Sequence, residues 1–316
     1  MSLNGRSSVN TEFVKKAEAI LQGEKVLTNE PMSKHTGFRT GGPADYFLTV
    51  KNADLLKKII TLAFEEKIPY YILGNGTNLL VADPGFRGVM IRIRTVPELI
   101  IEEEKDENGL TFVTAGAGCS LSRLASECAA AGLKGLEFAA GIPGTVGGAV
   151  VMNAGAYGGE ISDCIVSAEL LDSECNRIIL DKDGLELGYR TSIIRKKDYI
   201  VLSARFALPE GNTEESRQLI AELAARRREK QPLEYPSAGS TFKRPEGYFA
   251  GKLIEDCGLK GFGIGDAQVS EKHAGFIINR GQASSADIHA LILEVRKRVS
   301  ERFGVELEPE VIMLGF

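Results

Sequence analysis

The chain has 316 residues, of which 43% are hydrophobic and 26% are charged, and its formal net charge at pH 7 is −5. This length is typical of two domains of about 150 residues each, and the composition is ordinary for a globular protein with apolar cores. The acidic balance argues against a protein that binds nucleic acid or a membrane surface, because such proteins need an excess of basic residues. An anionic ligand would have to be held by local donors.

The five cysteines are scattered, and no two of them form a Cys-x-x-Cys pair. We therefore expect reduced, buried thiols rather than disulfides, and a cytoplasmic location. The three histidines are not at metal-ligand spacing, so no metal is expected.

Residues 1–8 do not resemble a signal peptide. Pro143 and several glycines interrupt the apolar stretch 138–156, which excludes a membrane-spanning helix there.

Hydrophobic periodicity predicts an opening unit of β-α-β type with further strands. Its predicted helices cover 11–22 and 53–66, the second capped by Asn52, and its predicted strands cover 44–50, 69–73, 79–82 and 87–94. A second unit begins near residue 97. Its predicted strands cover 98–103, 110–115, 165–171, 176–181 and 198–206, around a helix over 121–131 and a glycine-rich run over 135–159.

The composition changes at 209–212, where we place a domain boundary. Beyond it the pattern predicts an α+β unit with helices over 213–230, 248–257 and 284–303, a strand over 274–280 and strands around 305–313. The predicted domains are 1–208, with subdomains of about 30–96 and 97–208, and 209–316.

Two glycine-rich loops, at 74–78 and 141–148, dominate the first two thirds of the chain. Glycines let backbone N–H groups approach phosphate oxygens closely, although the first loop could also be a plain β-turn. Neither loop opens a helix with the Gly-x-Gly-x-x-Gly fingerprint, and no segment matches a P-loop. Two such loops on separate units suggest a long, flat cofactor that carries a diphosphate and lies between them. FAD fits that description.

Seven segments resemble motifs of the UDP-N-acetylenolpyruvoylglucosamine reductase family, in the family's order and spacing. They are 36–44, 73–78, 141–148, 189–192, 239–243, 266–270 and 307–311. The resemblance implies an α+β fold with a two-subdomain FAD-binding domain of the vanillyl-alcohol-oxidase (PCMH) type and a smaller α+β substrate-binding domain. The short link between 157 and 189 resembles the compact, type II members of the family.

The resemblance also implies a reaction in peptidoglycan precursor synthesis, the NADPH-dependent reduction of UDP-N-acetylglucosamine enolpyruvate to UDP-N-acetylmuramate through non-covalent FAD. Hydride from flavin N5 goes to the enolpyruvyl methylene carbon, Ser240 donates the proton, and Arg190 and Glu310 stabilise the enolate. We expect burial and the substrate's charge to raise the pKa of Glu310.

The resemblance and the glycine pattern together assign the binding residues. Those expected to bind the cofactor are Arg39, Gly74, Asn75, Gly76, Thr77, Asn78, Gly141, Pro143, Gly144, Thr145, Gly147, Gly148, Asn153 and Gly155. Those expected to contact the substrate are Lys243, Arg244 and Gln268. His35 and His273 are expected to be structural, and the lack of a histidine beside either glycine loop argues against covalent flavin.

Plainer interpretations remain open for the three catalytic candidates. Ser240 could be a loop hydroxyl, Arg190 a surface arginine, and Glu310 part of a solvated strand face with Glu306 and Glu308. A flavin oxidase of the same fold would share both glycine loops without needing the three residues. A catalytically inactive flavin- or nucleotide-sugar-binding protein would not need them either, and a transferase that uses coenzyme A or ATP would need a phosphate fingerprint that the chain lacks.

Overall fold

A computed structural model describes residues 10–94 and 99–316. The amino-terminal residues 1–8, the predicted subdomain boundary at 96/97 and the first residue of the strand predicted over 98–103 lie outside the described residues. Within those ranges, no helix is both long and apolar enough to cross a membrane.

The first unit is a four-stranded sheet with two helices packed together. Its order along the chain is α1 (Thr11–Leu21), β1 (Leu27–Pro31), β2 (Pro43–Val50), α2 (Ala53–Glu65), β3 (Tyr70–Leu73), β4 (Leu79–Val81) and β5 (Phe86–Ile93). The sheet order is β1-β2-β5-β3, and β5 runs parallel to both of its neighbours. Asn52 accepts a hydrogen bond from Leu55 N at 2.9 Å, which confirms the predicted cap of α2.

The second unit is a five-stranded antiparallel sheet with the order β11-β10-β12-β7-β6. Its elements are β6 (Leu99–Lys105), β7 (Leu110–Gly116), α3 (Leu121–Ala130), α4 (Val146–Val151), β8 (Gly155–Ala156), β9 (Gly159–Glu160), β10 (Ile165–Leu171), β11 (Arg177–Asp181), α5 (Ile193–Lys197) and β12 (Ile200–Pro209). Helix α4 comes from the glycine-rich run and packs on β12. Glycine is a poor helix former, so the sequence pattern did not predict α4.

The third unit has a four-stranded antiparallel sheet, β13-β16-β15-β14, with a long helix packed on it. Its elements are α6 (Thr213–Lys230), β13 (Ser237–Ser240), α7 (Ala250–Asp256), β14 (Gly263–Ile264), β15 (Ala267–Val269), β16 (Phe276–Asn279), α8 (Ser285–Phe303) and β17 (Ile312–Leu314). Helix α6 follows the predicted boundary at 209–212 but packs on α3 of the second unit.

The strand predicted around 305–313 is wrong over most of its length, because only Ile312–Leu314 forms a strand. The preceding segment is irregular and anchored instead: Leu307 is buried, and its carbonyl accepts a hydrogen bond from Arg296 Nε at 2.8 Å. Strand β17 then leaves the third unit and pairs in parallel with β4 of the first unit. The end of the chain thus joins two units.

Two polar side chains, buried Asn279 and exposed Asp83, add further links between the first and third units. Asn279 donates from Nδ2 to the Phe38 carbonyl at 3.0 Å and accepts from two backbone N–H groups of its own loop. Asp83 caps helix α8 by accepting from Ser285 N and Ala286 N at 2.8 and 2.9 Å. A buried core in the third unit also includes Phe38 and Leu80 of the first.

The cysteines only partly match expectation. Cys119, Cys128 and Cys164 are buried as predicted, and burial raises the pKa of Cys128 and of Cys164 to about 12. Cys175 and Cys257 are only half-buried, so the expectation of full burial is wrong for these two.

We expect Asn279→Ala to lower the free energy of unfolding by about 1–3 kcal/mol, because it leaves the buried Phe38 carbonyl without its donor. Urea denaturation followed by circular dichroism measures the loss. Asn108→Ala, in the exposed turn between β6 and β7, is the matched control and should change stability far less. Equal losses in the two variants would contradict the assigned role of Asn279.

Candidate active site

The two glycine loops predicted from the sequence lie against each other. Asn75 Nδ2 donates to the Pro143 carbonyl at 3.2 Å. A Cβ atom on Gly74 would lie 2.7 Å from Thr145 Oγ1, closer than real Cβ contacts come. The first and second units therefore meet at these loops, as a cofactor that spans both would require.

The conformation of the first loop depends on Gly76. Its φ is +62°, and a Cβ there would lie 1.9 Å from the carbonyl oxygen of His35. The Gly76 carbonyl accepts from Gly37 N at 2.9 Å, which ties the loop to the 36–44 motif. At the end of the loop, Asn78 Nδ2 donates to the Glu310 carbonyl at 3.1 Å, so the same loop contacts the carboxy-terminal segment.

The second glycine region is held by close backbone contacts and by one buried side chain. Thr145 caps α4 by accepting from Gly148 N, and Gly147 N donates to the Ala117 carbonyl at 2.9 Å. Asn153 is fully buried with φ +42°; it accepts from Ser162 N at 2.9 Å and donates to the Gly188 carbonyl at 3.2 Å. Asn153 thereby links the glycine region to the loop that carries Arg190.

A cavity of about 410 Å³, which we name the glycine cleft, lies where the loops meet. It is lined by Gly37, Gly74, Asn75, Gly118, Ser120, Thr145, Ile93, His35, Thr36, Lys34, Arg92, Arg94 and Arg123. Four of these residues are basic, although the whole protein is acidic. The cleft therefore combines close backbone approach with a local positive charge, which suits a diphosphate.

The four basic residues and His35 were not predicted as members of this site. The alternation of Ile91, Arg92, Ile93 and Arg94 at the end of a predicted strand was the available signal, since it places two arginines on one face. His35 nevertheless lies close to the first glycine loop in space, because a Cβ on Gly76 would lie 1.9 Å from its carbonyl oxygen. Both His35 ring nitrogens have polar partners, Glu30 and Arg92.

A second cavity of about 360 Å³, which we name the serine cleft, contains all three catalytic candidates. Tyr189, Arg190, Ser240, Phe242, Arg244, Phe249, Lys252, Glu255, Lys260, Lys272, His273, Gly275 and Glu310 are among its lining residues. Five of these side chains are cationic and two are anionic. This cleft also suits an anionic ligand.

Backbone pairing places Ser240 and Glu310 at this cleft. Ser240 ends strand β13 opposite Phe276, after a bulge in which Gly239 has φ +74°. The next residue accepts at its carbonyl from Glu310 N at 2.8 Å, and Phe242 pairs with Pro309. Ser240 is exposed into the cleft at the end of a strand rather than in a turn.

The side chain of Arg190 is fixed by its neighbours and is not that of a free surface arginine, since it is only 20% exposed. Its Nε lies 2.8 Å from Glu310 Oε1, and its terminal nitrogens donate to the carbonyls of Asn153 and Gly155 at 3.4 and 3.1 Å. Its own φ is +56°, a conformation that non-glycine residues adopt at some cost. The second glycine region, the 190 loop and Glu310 are thus connected through one guanidinium.

The side chain of Glu310 is also largely buried. It is 15% exposed, whereas that of Glu308 is 68% exposed. The solvated strand face considered for Glu310 is therefore wrong. Burial raises the pKa of the Glu310 carboxyl above its ordinary value, although the charge and hydrogen bond of Arg190 oppose the shift. The carboxyl is a candidate for a group that changes protonation during a reaction.

The remaining predicted residues fall in different places. Arg244 lines the serine cleft, with its Cζ 4.0 Å from the centroid of the Phe249 ring. Lys243 lies outside the cleft lining and pairs with Glu308, and Gln268 donates to the Gly261 carbonyl at 2.9 Å. Arg39 has φ +54° and is exposed outside both clefts.

We expect Gly76→Ala to destabilise the protein more than Gly239→Ala does. Both glycines have positive φ, so either substitution costs about 1–2 kcal/mol of backbone strain. Only Gly76 would also place a Cβ against backbone, since the space around Gly239 is open. The comparison of free energies of unfolding in urea tests this, and equal losses would rule out the close contact at His35.

Glu310 gives a prediction for the pH dependence of stability. The folded protein holds the Glu310 proton to a higher pH than the unfolded chain, whose ordinary value is 4.5. Between those two pKa values the folded state binds more protons, so the contribution of Glu310 to stability falls as the pH rises. The wild-type free energy of unfolding should therefore decline relative to that of Glu310→Gln above pH 4.5. A relative increase would indicate a lowered pKa.

Comparisons with known proteins agree with the architecture. Residues 44–179 match the FAD binding domain family, and residues 231–314 match the carboxy-terminal domain of UDP-N-acetylenolpyruvoylglucosamine reductase. The crystal structure of UDP-N-acetylenolpyruvylglucosamine reductase from Thermus caldophilus is similar, with a TM-score of 0.75 and 36% identity, over 92% of this chain and 98% of that one. The predicted α+β fold class, an FAD-binding domain followed by the reductase's smaller domain, is confirmed.

Sequence relatives extend the match to almost the whole chain. UDP-N-acetylenolpyruvoylglucosamine reductase of Agathobacter rectalis is 51% identical over 313 residues, which cover 97% of this chain and 99% of that protein. The enzyme of the same name from Lachnoclostridium phytofermentans is 51% identical over 307 residues, covering 97% and 98%. With such identity along nearly its full length, the chain belongs to the UDP-N-acetylenolpyruvoylglucosamine reductase family.

Proposed function

We propose that this protein reduces UDP-N-acetylglucosamine enolpyruvate to UDP-N-acetylmuramate, with NADPH as the reductant and non-covalent FAD as the carrier. The observation that carries the proposal is the meeting of Arg190, Ser240 and Glu310 at one cleft, connected through Arg190 and Asn78 to both glycine regions. The domains proposed for this activity are 1–208 for FAD and 209–316 for the substrate.

The residues at the glycine cleft fit FAD. Gly74 lines the cleft without a side chain, so backbone there can approach a diphosphate closely, and arginines supply the opposite charge. The other predicted cofactor residues, from Thr77 to Gly155, support these loops or lie along them. Both ring nitrogens of His35 are engaged, which favours a flavin held without a covalent bond. When bound, FAD supplies the hydride that reduces the enolpyruvyl methylene carbon.

Hydride addition leaves negative charge on the adjacent carbon and on the carboxylate, so the protein must stabilise an enolate and then protonate it. Ser240 is exposed in the serine cleft, and a hydroxyl placed beside a basic carbon can donate its proton even though serine is a weak acid in water. Its position beside the Thr241–Glu310 backbone contact fixes the donor relative to the carboxyl.

We assign Arg190 the role of binding the substrate carboxylate. A guanidinium binds a carboxylate through two parallel hydrogen bonds, and Arg190 lines the serine cleft together with Ser240. Glu310 beside it would repel an anionic substrate if it were ionised. Burial raises its pKa, and a bound carboxylate would raise it further, so we assign Glu310 a protonated, hydrogen-bonding role in the complex.

The cationic lining of the serine cleft supports an anionic sugar nucleotide as the ligand. Arg244 lies in the lining and is the first candidate for substrate contact. Lys243 and Gln268 remain weaker candidates, because their side chains already bond Glu308 and the Gly261 carbonyl. A flavin oxidase would not need the arrangement of Arg190, Ser240 and Glu310, nor would an inactive binding protein.

The direct test is a visible spectrum recorded without oxygen. The purified protein should be yellow or take up added FAD, lose flavin absorbance with NADPH, and regain it only when UDP-N-acetylglucosamine enolpyruvate is added. Recovery that requires oxygen instead would indicate an oxidase. A colourless protein that takes up no FAD would overturn the proposal.

We expect Ser240→Ala to separate the two half-reactions. Reduction of the flavin by NADPH should be unchanged, while product formation should fall by roughly 10²–10⁴-fold because the proton donor is lost. Stopped-flow absorbance measures both steps. Ser237→Ala, at the other end of β13 and outside the lining of the serine cleft, is the matched control and should leave both steps unchanged. Product formation by Ser240→Ala at the wild-type rate would remove Ser240 from this role.

A further inference from the structure

The wall of the glycine cleft contains a cation whose charge is not balanced by the protein. Arg92 is half-buried, and among the residues that the structure describes it has no carboxylate partner. Its Nη2 lies 2.8 Å from Nδ1 of His35, and its Cζ lies 5.0 Å from the centroid of the Phe47 ring. Because a half-buried charge without a counterion is costly, its partner is expected to be a ligand.

The position of Arg92 is fixed through His35. The His35 ring stacks on Phe47, with centroids 4.1 Å apart and planes 18° apart, and its Nε2 lies 3.0 Å from Glu30 Oε1. A guanidinium can only donate, so Nδ1 must accept and the proton must lie on Nε2, where it is donated to Glu30. His35 is therefore neutral in this arrangement and connects the Glu30 carboxylate to the Arg92 guanidinium.

The charged groups around His35 are consistent with a neutral ring. Glu30 and Lys34 face it from β1 and the turn that follows, and Arg92 faces it from β5, with Arg94 beyond. Burial lowers the pKa of His35, which outweighs the opposite effect of the hydrogen bond to Glu30. Protonation would place an N–H on each side of the ring, and the one on Nδ1 would point at the Arg92 donor.

The register of the sheet places Arg92 beside the first glycine loop. Arg92 on β5 lies opposite Leu73 at the end of β3, and Gly74 follows directly. Arg94, two residues on, also lines the cleft and lies on the same side of the strand. An anion held by Arg92 would therefore lie against the backbone of the loop that we assign to the cofactor diphosphate.

We propose that Arg92 binds a phosphate of the FAD diphosphate and that His35 is the positioning residue that holds the Arg92 guanidinium for it. This inference rests on the proposed FAD binding and adds two residues to the site. The guanidinium suits the phosphate because it forms two parallel charge-assisted hydrogen bonds.

The first test measures the Kd of FAD for the apoprotein by quenching of flavin fluorescence. Arg92→Met should raise the Kd by about tenfold or more, since it removes a charge-assisted hydrogen bond. It should also make the Kd less sensitive to salt, because screening acts on the missing charge. Arg217→Met removes the same charge from the exposed face of α6 and is the matched control, with a wild-type Kd expected. Arg92→Lys, which keeps the charge without the planar fork, should lie between the two.

The second test asks whether His35 acts through Arg92. His35→Phe keeps a ring on Phe47 but removes the acceptor, so FAD should bind as weakly as to Arg92→Met. His35→Asn restores an acceptor and should recover most of the affinity. The double variant His35→Phe/Arg92→Met should bind FAD no more weakly than Arg92→Met alone, because each change removes the same interaction with the phosphate. Additive losses in the double variant would show that His35 acts independently and would overturn its positioning role.

The outcomes separate this inference from the proposed function. If the wild-type protein binds FAD while Arg92→Met and Arg92→Lys bind it with the same affinity and salt dependence, the inference is wrong and the proposed function stands. If the wild-type apoprotein binds no FAD, the proposed function is wrong and the inference falls with it.

Discussion

The site depends on how one irregular segment near the carboxy-terminal end satisfies its backbone hydrogen bonds. Buried peptide groups must be paired, and residues 308–314 pair with three different partners in turn. Glu308 and Glu310 bond to the 241–243 segment, Glu310 also accepts from Asn78, and residues 312–314 complete a ladder with β4. The position of the Glu310 carboxyl relative to Ser240 and to the first glycine loop follows from this pairing.

The sequence predicted the long elements and the main motifs well, because their signals are local. The cap at Asn52 and the periodicity of α2 and α8 lie within one element and need no tertiary information. The short strands β1, β13, β14 and β15 and helices α4 and α5 were not predicted, because each spans too few residues to show a periodic pattern. A strand was predicted near β17, but its pairing with β4, more than 200 residues away in the chain, was not.

The composition of the site was also only partly predictable. The glycine loops and the Ser240, Arg190 and Glu310 positions stand in recognisable motifs, whereas the basic lining of the glycine cleft comes from three separate segments. Lys34 and Arg123 look like ordinary surface charges in the sequence, and only folding brings them to one cavity with Arg92. A protein with a net charge of −5 can thereby present two locally positive clefts.

The parallel pairing of β17 with β4 also has a consequence for biosynthesis. Asn78 and Glu310 are 232 residues apart, so the ribosome must translate most of the chain before this contact can form. Closing so large a loop is entropically costly, and contacts of this separation slow folding. Until β17 has been translated, β4 of the first unit has an unpaired strand edge. Such an edge is a site where nascent chains can associate wrongly. The active site would be among the last parts of the molecule to assemble in the cell.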